Sequence, residues 1–163
     1  MRSGQPGGRR AAPVRVVLDT NVVLSALLWR GTPYHLLGAI RRHPDVRLFT
    51  TAPLIEELAR VLARPMAAKR LALIGASPRE VLLDYTVAAD LVVPLATPPV
   101  IAADPDDDHV IAAAVAAHAN LIVSGDRHLL SLARHGAIRV VNPSTAAHLV
   151  ERSATPYGPT PPA

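Results

Sequence analysis

Short runs of Val, Ile and Leu alternate along the chain with stretches whose apolar residues recur every three or four positions. Val14 to Leu18, Val46 to Thr50, Leu91 to Leu95, Leu121 to Val123 and Ile138 to Val141 have the length and composition of buried parallel strands. Between them helices are predicted at residues 22–29, 33–43, 53–63, 65–74, 78–89, 107–118, 127–134 and 143–151, several opened by proline or by an Asp, Ser or Thr cap. Such alternation predicts a three-layer α/β/α sandwich around a mostly parallel sheet of about five strands. There is no internal repeat.

The periodic pattern fills residues 14–152. Residues 1–13 form a Gly/Pro/Arg-rich head and residues 153–163 a proline-rich tail, and neither carries an apolar pattern that would bury a core. The 163 residues suit one domain, large enough to hold together without a disulfide or a structural metal. The formal charge of +4 changes meaning once it is mapped. Arg2, Arg9, Arg10 and Arg15 lie in the first fifteen residues without an acid, and from residue 16 onward 13 basic residues balance 13 acidic ones. The surplus therefore reads as a tail that keeps the protein soluble, with contact to RNA as the alternative. No apolar run approaches the ~20 residues of a membrane span. Arg15, Asp19 and Asn21 interrupt the segment after Arg9-Arg10, so an export signal is not expected, and a cytoplasmic location is. The absence of cysteine excludes thiolate metal sites and cysteine nucleophiles, so any metal must sit on oxygen or histidine.

Candidate chemistry gathers where apolar strands end. Val16-Val17-Leu18 runs into Asp19-Thr20-Asn21, Leu121-Ile122-Val123 runs into Ser124-Gly125-Asp126, and Asp104-Pro105-Asp106-Asp107-Asp108 opens an alanine-rich helix between them. Ligands bind beyond the carboxyl ends of parallel strands, where Asp19 and Asp126 are expected. In the helix from Pro53, the stripe Leu54, Ile55, Leu58, Val61 and Leu62 leaves Glu57 on its flank and Glu56 nearly opposite, so Glu57 can face inward and Glu56 should face water. Converging carboxylates repel one another unless a cation neutralises them. An all-oxygen site suits Mg²⁺ or Mn²⁺, and phosphodiester cleavage is a natural reaction for it, with the ion polarising a phosphoryl oxygen and acidifying a water. Thr20, Asn21 and Ser124 would orient ligands or position water.

These residues together resemble the PIN-domain nucleases, and within them the VapC-like toxins of bacterial toxin–antitoxin pairs. The resemblance covers nearly all of residues 15–150 and rests on the order and spacing of Leu18-Asp19-Thr20-Asn21-Val22, the segment Ser25 to Gly31, Glu56-Glu57-Leu58, the acidic run into Asp108-His109-Val110-Ile111-Ala112-Ala113, and Ser124-Gly125-Asp126 with Leu129-Leu130. It implies that Asp19, Glu57, Asp108 and Asp126 ligate Mg²⁺ or Mn²⁺ and cleave RNA, with Asp107 the competing choice for the third position. It further implies a homodimer and a small antitoxin that covers an apolar groove. Ala103 departs from the pattern, since relatives often carry Arg there.

Plainer readings stand beside each residue. Asp19 could cap the helix that follows it, Glu57 could belong to a solvated face, the acids at 106–108 suit a helix N-terminus, and Asp126 could be a turn residue or an ion-pair partner. The seven histidines, His109 beside the acids included, show no metal-ligand spacing. Trp29 and Tyr34 could stack on bases, although core or dimer packing is the commoner use. Arg30, Arg41, Arg42, Arg60, Arg64, Lys69 and Arg70 could line an RNA path. Two other functions compete. One is a catalytically silent RNA-binding or antitoxin-binding module. The other is a haloacid-dehalogenase-type phosphohydrolase, which needs acids where this chain has Asn21 and Leu130.

Overall fold

The computed structural model describes residues 12–94 and 105–154. Among them run β1 (Val14–Leu18), α1 (Thr20–Leu28), α2 (Thr32–Arg42), β2 (Val46–Thr50), α3 (Ala52–Leu62), α4 (Pro65–Ile74), α5 (Pro78–Ala88) and β3 (Asp90–Leu91). The second stretch holds α6 (Pro105–Ala116), β4 (Leu121–Val123), α7 (Arg127–Leu132), β5 (Arg134–His135), β6 (Ile138–Val141) and α8 (Pro143–Ala154). The strands form one sheet in the order β3-β2-β1-β4-β6-β5, parallel throughout except for the β5–β6 hairpin.

Side chains alternate between the two faces of a strand, and the core divides accordingly. Val16, Leu18, Leu48, Leu121 and Val123 pack against α1–α5 and α8. Val17, Phe49, Ile122 and Val140 face α6, α7 and Leu54 of α3. Both faces of β1 and β4 are therefore covered by helices, which gives the expected α/β/α sandwich and explains why residues 16–18 and 121–123 read as unbroken apolar runs. Fully burying one Leu or Val of this set contributes roughly 1.5–3 kcal/mol. Tyr85 of α5 is also buried, hydrogen-bonded to the Thr50 side chain at the end of β2. Burial raises its pKa well above the ordinary tyrosine value, against a smaller lowering by that bond.

The helices stop and start for local reasons. Thr51 and Ser77 accept the N–H groups of Leu54 (3.3 Å) and Glu80 (3.1 Å) at the starts of α3 and α5, satisfying amides that the helix itself leaves over. Gly75 ends α4 in the left-handed region at φ 67°, which glycine adopts without steric cost. At the amino-terminal side of the sheet, Arg15 lies in β1 and donates from Nε to the Ala117 carbonyl after α6 at 2.6 Å. Its guanidinium also covers the Phe49 ring, 4.2 Å from the centroid. Arg15 thus belongs to the domain, and only Arg2, Arg9 and Arg10 remain as head charges.

Three expectations need correction. The sheet has six strands among the described residues, because a helix predicted to Arg134 ends at Leu132. Ala133 takes a positive φ of 55°, and Gly136 at φ 59° turns a two-residue strand back onto β6. A strand that short carries no readable alternation. The strand expected over 91–95 is only Asp90–Leu91, an exposed edge beside β2; Leu95 lies outside the described residues, as do residues 1–11, 96–104 and 155–163. Asp90 there pairs with Arg47 at 2.7 Å.

Candidate functional site

In a parallel sheet a crevice opens where neighbouring strands send their connections in opposite directions. Here it lies between β1, which continues toward β2, and β4, which continues toward β6. Leu18 and Val123, the last residues of the two strands, are register partners, and the Asp19 N–H donates to the Val123 carbonyl at 2.9 Å. Asp19 and Ser124 therefore leave the sheet side by side. The fully buried Ser124 hydroxyl donates to Oδ2 of Asp19 at 2.7 Å and accepts the Asp126 N–H at 2.9 Å. One oxygen ties the acid after β1 to the backbone that carries the acid after β4.

Asp19 is 7% exposed. Taking a carboxylate out of water is costly unless hydrogen bonds replace the lost hydration, and Ser124 supplies one of them. Asp19 occupies the N-cap position of α1, yet its side chain makes no cap hydrogen bond. Capping therefore does not account for it. Asp126 behaves differently, since its Oδ1 accepts the N–H groups of His128 (2.7 Å) and Leu129 (3.3 Å) and caps α7. Both bonds end on the same oxygen.

Glu57 is half-buried and Glu56 exposed, as their helical phase requires. The Thr20 hydroxyl, one residue beyond Asp19, donates to Glu57 Oε2 at 2.9 Å and so draws α3 to the same edge of the sheet. Asp108 is half-buried in the first turn of α6, a helix that packs on β1 and β4 and touches α3. The side chains of Asp106 and Asp107, and all of Ala103 and Asp104, lie outside the described residues. Asn21 and His109 are exposed. Among the described residues no three His, Asp or Glu side chains form a group that could hold an ion. The structure links Asp19 to Ser124 and Glu57 to Thr20 and caps α7 with Asp126, while Asp108 stands in the first turn of α6.

Trp29 and Tyr34 are not core residues, at 36% and 41% exposure. Trp29 stands after the last turn of α1, clear of the buried face, with Arg70 over its ring; Arg30 lies over Tyr34. Of the expected basic path, Arg41 is engaged by Asp84 at 2.9 Å and Arg70 by the Leu28 carbonyl at 2.8 Å. Arg30, Arg42, Arg60, Arg64 and Lys69 are exposed. A cavity of about 580 Å³ also opens beside Asp126, between Asn21 and Ser25 of α1, Pro33 of α2, Arg127 and His128 of α7, and Pro143 of α8. Nothing in the periodicity of the chain signals it, because its walls come from four separate elements.

The chain matches the PIN domain family model over residues 15–128, a span that contains Asp19, Glu57, Asp108 and Asp126. It belongs to the PIN domain family. PIN domains are generally nucleases and typically metal-dependent, so membership supports a nuclease-type function on nucleic acid and decides against the haloacid-dehalogenase alternative. No curated protein matches the chain. No helix among the described residues is long and apolar enough to cross a membrane.

Proposed function

We propose that this protein is a metal-dependent endoribonuclease in which Asp19, Glu57, Asp108 and Asp126 hold Mg²⁺ or Mn²⁺, and that it acts as the cytoplasmic toxin of a toxin–antitoxin pair. The observation that carries this reading is the buried Asp19 carboxylate, which makes no cap hydrogen bond to α1 and is held by Ser124 at the switch point of a PIN-domain sheet. The acids and hydroxyls at this edge offer oxygen donors only, and that set fits the hard divalent ions. When bound, such an ion polarises the phosphoryl group and acidifies the attacking water.

The chain's own residues bind and orient. Ser124 fixes the rotamer of Asp19 from inside the core, where no water competes for its hydroxyl. Thr20 holds the Glu57 carboxylate toward the carboxyl edge of β1. The helix cap of Asp126 locks the backbone just past β4, and Ser124 holds its N–H, so this acid cannot drift with the exposed Gly125 turn. Asp108 projects from the start of α6, and Asp107 remains its rival. Asn21, exposed beside the crevice, would position water or substrate.

Partners follow from the same reading: an RNA substrate, a second copy in a homodimer, and a small antitoxin. Met66 and Leu73 of α4 and Leu83 and Val87 of α5 stand exposed, and apolar surface of this kind supports a covering protein. The test is cleavage of a mixed cellular RNA pool by the purified chain with Mg²⁺, with Mn²⁺ and with EDTA, alongside Asp19→Asn. Cutting that needs both the metal and Asp19 is expected. Intact RNA after incubation with folded, antitoxin-free protein in either metal would overturn the reading in favour of a silent binding module.

A further inference from the structure

The cavity opens where α1 follows β1 and where the turn after β4 enters α7, with Asn21 two residues past Asp19 and Asp126 itself in its wall. At about 580 Å³ it falls within the range of small-molecule pockets, roughly 300–1,000 Å³. Its walls differ in chemistry. Pro33 and Pro143 offer rigid apolar surfaces. Asn21 and Ser25 stand four residues apart on α1, hence on one face, and present an amide and a hydroxyl that can both donate and accept. Arg127 and His128 are exposed at the rim, and Arg127 brings a permanent positive charge to a region otherwise marked by acids. An apolar platform, two-way hydrogen-bonding groups and a cation at the mouth match the base, the base edge and the phosphate of a nucleotide.

We propose that this cavity is a slot for one unpaired nucleotide next to the bond to be cut, with Arg127 on its phosphate, Pro33 and Pro143 against its base, and Asn21 and Ser25 reading the base edge. This rests on the nuclease reading above for what lies next door, but the slot itself binds without chemistry. A base held in a duplex is stacked and paired, so it reaches such a slot only after being extruded from the stack. The slot therefore selects single strands and gives the cut site its base preference.

The test is fluorescence anisotropy of the full chain in EDTA, which separates binding from cleavage, with labelled oligouridylate and oligoadenylate as probes and an RNA duplex as competitor. Ser25→Trp, which fills the slot, and Arg127→Ala, at an exposed position, are each expected to weaken single-strand binding by about tenfold or more. Arg79→Ala, exposed on the remote α5, should leave it unchanged. Asn21→Ala should alter the ratio of the two affinities. The proposal is overturned if Arg127→Ala and a folded Ser25→Trp both bind as the wild type does, or if duplex competes as well as single strand. Slot binding by a chain that cuts nothing with Mg²⁺ would instead sink the nuclease reading and leave the slot standing.

Discussion

Replacing Ser124 by alanine removes one oxygen and breaks two bonds. The donor to Asp19 Oδ2 (2.7 Å) is lost, and so is the acceptor of the Asp126 N–H (2.9 Å), at a position with no exposure to water that could substitute. A hydrogen bond to a charged group is worth about 1.5–3 kcal/mol and a neutral one about 0.5–1.5 kcal/mol. The summed expectation is a loss of roughly 2–4 kcal/mol, which for a chain of this size lowers Tm by about 4–16 °C. Asp19 also loses one of its holds, and a displacement of about 1 Å in a catalytic group costs on the order of a hundredfold in rate. Urea unfolding and RNA cleavage, measured on the same preparation, read the two effects separately. Ser124→Thr keeps the hydroxyl and should recover most of the rate even where its extra methyl lowers stability. A Ser124→Ala chain within about 0.5 kcal/mol of the wild type and equally active would refute the role given to this hydroxyl.

Other perturbations bear on separate parts of the structure. Asp108→Asn should abolish metal-dependent cleavage while Asp107→Asn leaves most of it, and the reverse pattern in cleavage assays would hand the third ligand position to Asp107. Burial makes the folded state keep the Tyr85 proton at a pH where the unfolded chain releases it. Stability should hold below pH ~10 and fall above it by up to ~1.4 kcal/mol per pH unit, and Tyr85→Phe should remove that fall in urea titrations. Arg15→Ala strips a hydrogen bond to the Ala117 carbonyl and a cation–π contact with Phe49, for a loss of about 1–2 kcal/mol in urea unfolding without effect on RNA cleavage, since Arg15 lies at the opposite end of β1 from Asp19.

What was readable from the chain divides along physical lines. β1, β2, β4 and β6 were legible because most of their residues are buried on one face or the other, which selects Val, Ile, Leu and Phe with single arginines among them. All eight helices described were legible because their buried stripes and capping residues are local signals. β5 and the shortened β3 were not, since two residues at a sheet edge bury too little to impose a pattern. Asp19, Glu57, Ser124 and Thr20 stood out as polar groups at strand ends and on a helix flank. The bonds that couple them were not legible, because they depend on β1 lying beside β4 and α3 crossing near α1, and neither neighbour is adjacent in sequence. Arg15 looked like part of a basic head for the same reason: its partners, Ala117 and Asn120, come from the far side of the chain. Of the uses open to Trp29 its exposure removes only core packing, which aromatic character suggests more strongly than a helix end suggests exposure.

The pairing of Asp19 with Ser124 spans 105 positions, and β4 enters the sheet after the helices of the first half are in place along the chain. A ribosome has therefore made β1 to β3 and six helices before it makes the hydroxyl that holds the first acid. Until β4 docks against β1, the nascent chain holds Asp19 at an open edge without its Ser124 partner. If the proposed activity holds, a truncated or stalled translation product is harmless to the RNA around it, and the enzyme becomes dangerous only once nearly all of its domain has been synthesised and folded.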